Sequence, residues 1–433
     1  MAGASLFGKL RGRVKPGSVL ANVTTLVSGT VITQIVTIPL SIVLARLYTP
    51  YDYGLFAIFS SLVAAVVTVA ALRYDMTIVL PKSDAVALVV RRLAQRTIIV
   101  VSGVTLIGCL VAFRWAEAAW GFVLACWLPV SGLMVYLTAD SSGLQYWLNR
   151  KTRYKAIARN RIILGIGTAL LQLACAFVIG GVGGLIVGAV VAQAVALGIL
   201  YWTTRMDLLG PLPPDAPRFL DVAKRYKKMP LVNGPNALVD AVRTNGINFL
   251  IAGIALDGLG QFNMAWRLMY APVGLIQGAI GQVFYQKMAT IAPGTMFRLV
   301  SRTLARMALA GVIVFGILFL LTPWLFPFLL GEQWTQAGLL AQALVPWLCL
   351  TLLTSPVSVL FVVTEHQPTL LVFSVVYCLA TLTVLIVSPW PLLPTVWLLS
   401  GVTAAMLAVM LVLALREARH YDRPAGMTSA QSQ

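Results

Sequence analysis

The sequence predicts an all-α polytopic membrane protein with about twelve transmembrane helices in two sets of six. Three observations carry that expectation. Of 433 residues, 59% are apolar and only 11% are charged, against roughly a quarter charged in a soluble globular chain. Charge-free runs recur along the chain, each near or above the roughly 18 apolar residues that a membrane helix needs. The basic residues, 32 Lys and Arg against 14 Asp and Glu, gather in alternate loops. This composition excludes a disordered chain, a fibre and an ordinary soluble enzyme. A net charge of +18 would suggest nucleic acid in a soluble protein. In a membrane protein it suggests basic loops facing the cytoplasm and no nucleic-acid partner.

The elements follow in order. Residues 16–45 form the first charge-free run, followed by 53–72, 97–113 and 118–139. Residues 162–204 are twice as long as one helix needs, and the cluster Gly180, Gly181, Gly183 and Gly184 divides them. Two helices near 230–256 and 259–286 are apolar but hold charges. The runs 307–331 and 333–364 come next. Residues 366–415 are split at Pro389, Pro391 and Pro394, which makes twelve spans. With both termini cytoplasmic, 27 Lys and Arg fall on inner segments, two (Arg46 and Arg114) on outer loops and three inside helices. That asymmetry fixes the orientation. The inner loop at Glu365 and His366 lacks a basic residue and is placed by alternation. The basic N-terminal segment reads as the start of a retained first helix, because the apolar run is too long for a signal peptide. Cys109, Cys126, Cys175, Cys349 and Cys378 all fall in helices, with no disulfide or metal spacing.

The longest inner loop carries Pro211, Pro213, Pro214 and Pro217, then Lys224, Arg225, Lys227 and Lys228. It separates an N-lobe (1–204) from a C-lobe (230–433) by a basic cytoplasmic linker (205–229). A shift of 206 residues lays Tyr53-Gly54-Leu55-Phe56 on Leu259-Gly260-Gln261-Phe262, and Thr30, Gln34 and Thr37 on Asn236, Asp240 and Arg243. Matched halves of six helices point to a parallel repeat. The linker reads as an anchor on anionic lipid, worth about 1 kcal/mol per basic residue; a docking site for a cytoplasmic partner is the other reading.

Outer loops are short, and no phosphate loop, metal motif or nucleophile elbow is present. His366 and His420 form no cluster. Transport, not catalysis, is the expectation, with no cofactor beyond a proton or sodium gradient. The informative residues are charges inside helices, each costing about 2.5–3.5 kcal/mol at a helix centre. Arg73 and Asp75 end the second helix. Asp240 and Arg243 can pair on the seventh, within a one-face stripe of Asn233, Asn236, Asp240, Arg243 or Thr244, and Asn248. Arg267 on the eighth has no acidic residue within four positions. Such charges either lock the bundle as ion pairs or line a wet cavity. The planar fork of arginine suits phosphate oxygens, so Arg73, Arg243, Arg267, Gln34 and Asn236 are candidates for holding an anionic, phosphate-bearing substrate. Gln34 serves equally well as interhelical glue. Asp240 and Asp75 are candidates for ion coupling. Thr49, Pro50 and Asp52 suit the N-cap, first and third positions of the second helix, and Trp334, beside Gly331 and Glu332, suits an outer interfacial anchor.

Several stretches resemble bacterial polysaccharide flippases of the Wzx type, in the polysaccharide transporter family. These are Arg46 to Phe56, Arg73-Tyr74-Asp75, Leu80-Pro81-Lys82, Trp147 to Lys151 with Tyr154-Lys155-Ala156, Ala265-Trp266-Arg267-Leu268 through Pro272 to Tyr285, and Gly331-Glu332-Gln333-Trp334 with Ala337. They run over most of the chain in the family's order. The resemblance implies the fold of the multidrug/oligosaccharidyl-lipid/polysaccharide superfamily, two six-helix lobes around a central cavity. It implies translocation of undecaprenyl-diphosphate-linked oligosaccharide across the bacterial inner membrane by a monomer, for O-antigen, capsule or exopolysaccharide synthesis. A polysaccharide polymerase and a chain-length regulator are the implied partners. Twelve helices lack the extra C-terminal pair of the lipid II flippases. A multidrug cation antiporter of the same fold is the first alternative, and a membrane glycosyltransferase or polymerase the second.

Overall fold

The computed structural model describes residues 19–208, 217–227, 229–289, 294–358, 360 and 367–422. Twelve helices of 21 residues or more stand among them. They are α1 (Val19–Leu47), α2 (Pro50–Ala70), α3 (Asp84–Val111), α4 (Val130–Arg150), α5 (Tyr154–Val178) and α6 (Gly181–Leu208). A second set comprises α7 (Gly234–Ile254), α8 (Leu256–Ala289), α9 (Met296–Leu330), α10 (Thr335–Ser358), α11 (Gln367–Val387) and α12 (Leu392–Tyr421). Eight of the helices are long and apolar enough to cross a membrane. Those without such a stretch include α4, α7 and α8, the helices that carry Asp140, Arg243 and Arg267. The protein is a multi-pass membrane protein.

Local chemistry sets the boundaries. The Thr49 hydroxyl accepts from the Asp52 amide and the Asp52 carboxylate accepts from the Thr49 amide, with Pro50 at the first helical position. This reciprocal cap starts α2 as the sequence predicts. Gly180 and Gly181 take φ of 68° and 51° and divide α5 from α6, a backbone that glycine enters without steric cost. Residues 388–391 separate α11 from α12.

Two boundaries differ from expectation. The fourth span lies at 130–150, not 118–139, because Gly121 at φ 88° breaks the apolar run into two short helices, Phe113–Trp120 and Phe122–Trp127. The third begins at Asp84, so Arg91, Arg92 and Arg96 are helical residues and not part of a loop. Arg73 and Asp75 likewise leave the second helix. Leu72 and Arg73 take φ of 47° and 61°, ending α2, and Asp75 sits on a separate turn, Tyr74–Thr77.

The two sets repeat one packing plan. In the first, α1 packs on α5, α2 and α3 on α4, and α4 and α5 on α6; in the second, α7 packs on α11, α8 and α9 on α10, and α10 and α11 on α12. Each contact recurs six helices later. Between the sets, α2 lies against α7 and α8, and α1 against α8 and α9. The closest approach uses Gly54 and Gly260, the pair matched by the internal shift. A Cβ on Gly260 would overlap the Pro50 carbonyl, and one on Gly54 the Leu256 carbonyl. Two glycines let the backbones of α2 and α8 touch near their N-terminal ends.

That end of the bundle carries further ties. Gln333 and the Trp334 indole both donate to the Ala45 carbonyl, at 2.8 and 2.7 Å. Arg46 donates to the Leu329 carbonyl at 3.2 Å. Trp334 is fully buried, so it is a bolt between the two helix sets and not the interfacial anchor expected; its N–H needed a partner away from water. The opposite end, with the α3 N-terminus and the α4–α5 turn, is rich in arginine and lysine and is called the basic end below.

Candidate functional site

The polar side chains of α1, α2, α7 and α8 converge between the two sets. A cavity of about 260 Å³ is lined by Tyr53, Ser60 and Ser61 of α2, Asn245 and Asn248 of α7, and Asn263 and Arg267 of α8. A second of about 370 Å³ adjoins it, between Gln34, Thr37 and Ser41 of α1 and the Trp266–Ala271 stretch of α8. A third of about 420 Å³ opens into the second set, with Arg243, Thr351 and five aromatic rings. Trp266 lines all three and Arg267 the first two. Hydrogen bonds cross this space. Asn263 donates to Asn248 at 3.4 Å, and Asn248 donates to Ser61 at 2.7 Å, linking α8 through α7 to α2.

Helix geometry sets the depth. Arg267 stands eleven residues beyond Leu256 and Arg243 eleven before Ile254, so both lie about 16 Å from the ends at which α7 and α8 meet. That is close to half the ~30 Å thickness of a bilayer core. Arg267 is exposed to the cavity and has no carboxylate partner among the described residues. Arg243 differs. It pairs with Asp240 at 2.7 Å and lies over the Tyr377 ring at 4.9 Å, its side chain 20% exposed. The Asp240 carboxylate stays open, 71% exposed.

The other candidates are placed as follows. Gln34 donates to the Ala271 carbonyl at 3.3 Å, joining α1 to α8, and its own oxygen is buried without a partner. It ties α1 to α8 and also lines the cavity wall. The side chain of Asn236, like that of Asn233, lies outside the described residues, as do Glu365 and His366. Arg73 and Asp75 stand at the basic end, away from the Arg267 cavity. The Arg73 Nε and one Asp75 oxygen are buried without hydrogen-bond partners. Burial pushes the Asp75 carboxyl above the usual carboxylate range, with Arg73 pulling the other way.

Sequence reasoning missed the aromatic wall. The Trp266 ring stacks on Tyr270 at 5.4 Å and 9° and meets Trp347 at 4.6 Å, with Phe262 and Tyr377 completing the lining. These rings come from α8, α10 and α11, too far apart in sequence for any spacing to join them. The available signal was Trp266 itself, next to the unpaired arginine.

A second miss lies within the first set. Arg91 pairs with Asp140 at 2.6 Å, both buried. Tyr201 donates to the same carboxylate, and Gln95 donates to Tyr201 at 2.7 Å. Asp140 lies two residues from Ser142, on the other side of α4 from the polar row Ser142, Gln145 and Asn149. With Tyr201 this pair locks α3, α4 and α6 together, and none of its residues lines the cavities around Arg267.

With the geometry in place, the comparisons bear on family. Residues 43–338 match the family described as polysaccharide biosynthesis protein. Among solved structures, the chain is similar to the lipid II flippase MurJ in an inward closed conformation, at 11% identity over 91% of this chain and 89% of that one, with a TM-score of 0.68. It is similar to a MATE protein in complex with MaD5, at 14% identity over 93% and 96% of the two chains, TM-score 0.59. A MOP superfamily transporter from Pyrococcus furiosus follows at 15% identity over 93% and 96%, TM-score 0.57. No curated protein sequence matches the chain. The solved structures, at these identities, establish the fold. The family match covers more than half of the chain, and the chain therefore belongs to the polysaccharide biosynthesis protein family.

Proposed function

We propose that the protein is a flippase that carries undecaprenyl-diphosphate-linked oligosaccharide across the bacterial inner membrane for surface polysaccharide synthesis. The observation that carries this reading is Arg267, an exposed guanidinium at mid-membrane depth with no carboxylate partner among the described residues, beside an aromatic and amide-lined cavity. An unpaired arginine at that depth needs water or an anion, and a diphosphate offers oxygens to its fork. Aromatic faces and amides suit the apolar faces and hydroxyls of sugars. Arg243 is the second candidate for the diphosphate, with Asn263 and Asn248 along the path between. One structural neighbour is a flippase of lipid II, a lipid-linked saccharide of the same chemical class.

In this reading the basic end is cytoplasmic, as are both termini, and residues 1–204 and 230–433 rock about the central cavity with 205–229 as linker. The Gly54–Gly260 crossing and the Trp334 bolt seal the periplasmic end, so the cavity is poised to load from the cytoplasm. Glycosyl units travel in the polar cavity while the polyprenyl chain stays in lipid. Asp240, open to solvent beside Arg243, and Asp75, buried at the cytoplasmic end, are the candidates for coupling to a proton or sodium gradient. A polymerase and a chain-length regulator would take the product onward. A multidrug cation antiporter would want unpaired carboxylates at the cavity centre, and the unpaired charge there is an arginine.

The test is complementation of a deletion strain. Arg267→Ala should leave the protein in the membrane, abolish surface polysaccharide and leave the lipid-linked intermediate on the cytoplasmic face. Normal surface polysaccharide from a strain expressing Arg267→Ala, Arg243→Ala and the double variant would overturn the assignment. Drug efflux without polysaccharide loss on deletion would favour the antiporter.

A further inference from the structure

A row of three arginines runs down the outside of α9 at the basic end. Arg298, Arg302 and Arg306 stand four residues apart, and all are exposed. Each step of four turns about 40° around the helix and advances about 6 Å, so the three form one slowly winding ladder. The buried residues of this stretch, Val300, Leu304, Met307 and Gly311, fall about 140–200° around the helix from Arg302, on the side that packs within the bundle. Leu309, Ile313 and Leu320 fall within about 20° of Arg302 and are exposed. The ladder therefore continues the face that α9 turns to lipid.

The length of the apolar stretch sets the level of the ladder. Residues 307–323 carry no charge. Beyond them Trp324 and Phe328 are exposed and stack on each other at 5.1 Å, as rings do at a membrane–water interface. Trp324 stands about 27 Å along the axis from Arg306, close to the ~30 Å of a bilayer core. With the rings at one headgroup layer, Arg306 meets the boundary of the other, Arg302 lies within it and Arg298 at its watery edge. None of the three guanidinium groups has an ion pair or an aromatic ring among the described residues. The Asp422 carboxylate, which closes this end of α9, is taken by the amides of Gly294, Met296 and Phe297. The shift of 206 residues lays Arg96 of α3 on Arg302. Arg96 is covered by the Phe219 ring at 4.1 Å, whereas Arg302, at the matching place, is bare among the described residues.

We propose that Arg302 and Arg306 hold the phosphate of an anionic phospholipid in the leaflet at the basic end. Arg298 reaches the headgroup from the water side, and the acyl chains lie along Leu309 and Ile313. Cations at this level that lack a partner in the protein meet lipid phosphate, and long side chains let neighbouring turns reach one headgroup. The site is separate from the transported cargo, since none of the three arginines lines the cavities around Arg267. All its ligands belong to one helix, so a bound lipid fixes the depth of α9 in the membrane.

The test uses full-length protein in detergent, titrated with phosphatidylglycerol or phosphatidylcholine and read by native mass spectrometry. Wild type should prefer phosphatidylglycerol by about tenfold, the scale for two basic residues at an anionic headgroup. Arg302→Gln/Arg306→Gln should erase most of that preference. Arg114→Gln, which removes a positive charge at the opposite end of the bundle, should change it by less than about twofold. Arg302→Lys/Arg306→Lys keeps the charge and should hold binding within about threefold. The two arginines are exposed and unpaired among the described residues, so these variants take no support from the fold. Equal affinity of wild type for the two lipids would overturn the proposal. So would a loss in Arg302→Gln/Arg306→Gln no larger than in Arg114→Gln, a loss in the lysine pair as large as in the glutamine pair, or displacement of the lipid by millimolar inorganic phosphate, which would mark a free-anion site.

Discussion

Arg267 and Arg91 have the same side chain, and their surroundings give them opposite roles. Arg91 is sealed against Asp140 and ties helices together; Arg267 faces a cavity with no such partner among the described residues. Removing one member of the buried pair leaves an uncompensated charge. Asp140→Ala should therefore cost about 3–5 kcal/mol in unfolding of the detergent-solubilised protein, and an Arg91→Met/Asp140→Leu double variant should recover most of it. Asp75 gives a pH-dependent prediction. Burial raises its carboxyl above the ordinary value, so folding favours the protonated form. The stability it contributes is fully present below the unfolded carboxylate pKa of about 3.9 and is lost as pH rises through the raised folded value. Asp75→Asn should flatten that part of the melting-temperature profile and melt higher than wild type at pH 8. Some residue roles were legible in the sequence. Thr49, Pro50 and Asp52 announce a helix start because capping is local chemistry, and Arg267 stands out because its neighbours hold no acid. The partner of Arg91 was not legible, being 49 positions away and on a helix whose start the charge-free runs misplaced.

At the scale of elements, the runs located helices well where Gly180 and Gly181 or Pro389 and Pro391 ended them, and poorly at Gly121 and where charge ended them. Arginines at 91, 92 and 96 read as loop, yet α3 begins before them, because a helix entering a membrane keeps its hydrogen bonds through the headgroup region while a long side chain such as Arg96 reaches out and Arg91 turns inward to Asp140. The α2–α8 crossing was only faintly visible, as glycines aligned by a shift of 206. Its structural role gives a sharp test. Gly260→Ala places a methyl group against the Pro50 carbonyl, and overpacking of this kind costs about 1–3 kcal/mol. The variant should lower the melting temperature and raise the labelling of a cysteine placed at Ser61 by a membrane-impermeant reagent added from outside. Unchanged labelling would mean that the crossing does not close that end.

At the scale of the whole molecule, the recurring apolar runs announced a helical, many-span architecture before any contact was known. The contact plan of the first set recurs in the second, helix for helix, and the cavity falls where α1, α2, α7 and α8 meet. What the sequence could not show is which surfaces of those helices look inward, since a polar stripe fixes a face but not its neighbour. The aromatic wall of Trp266, Trp347 and Tyr377 is the clearest case: it exists only once three distant helices are assembled.

The Ala45 carbonyl accepts from both Gln333 and Trp334, so both of its lone pairs are spoken for by the other half of the protein. Separating the halves there strands a backbone oxygen and the buried Trp334 indole N–H, at about 1–3 kcal/mol for each group left dry, while the exposed Gln333 amide can turn to water. Hydration must then arrive with the movement or ahead of it. The latch opens by getting wet, and its release should slow measurably in osmotically stressed vesicles, where water activity is lowered, while Trp334→Phe, with one donor fewer to satisfy, should be less sensitive.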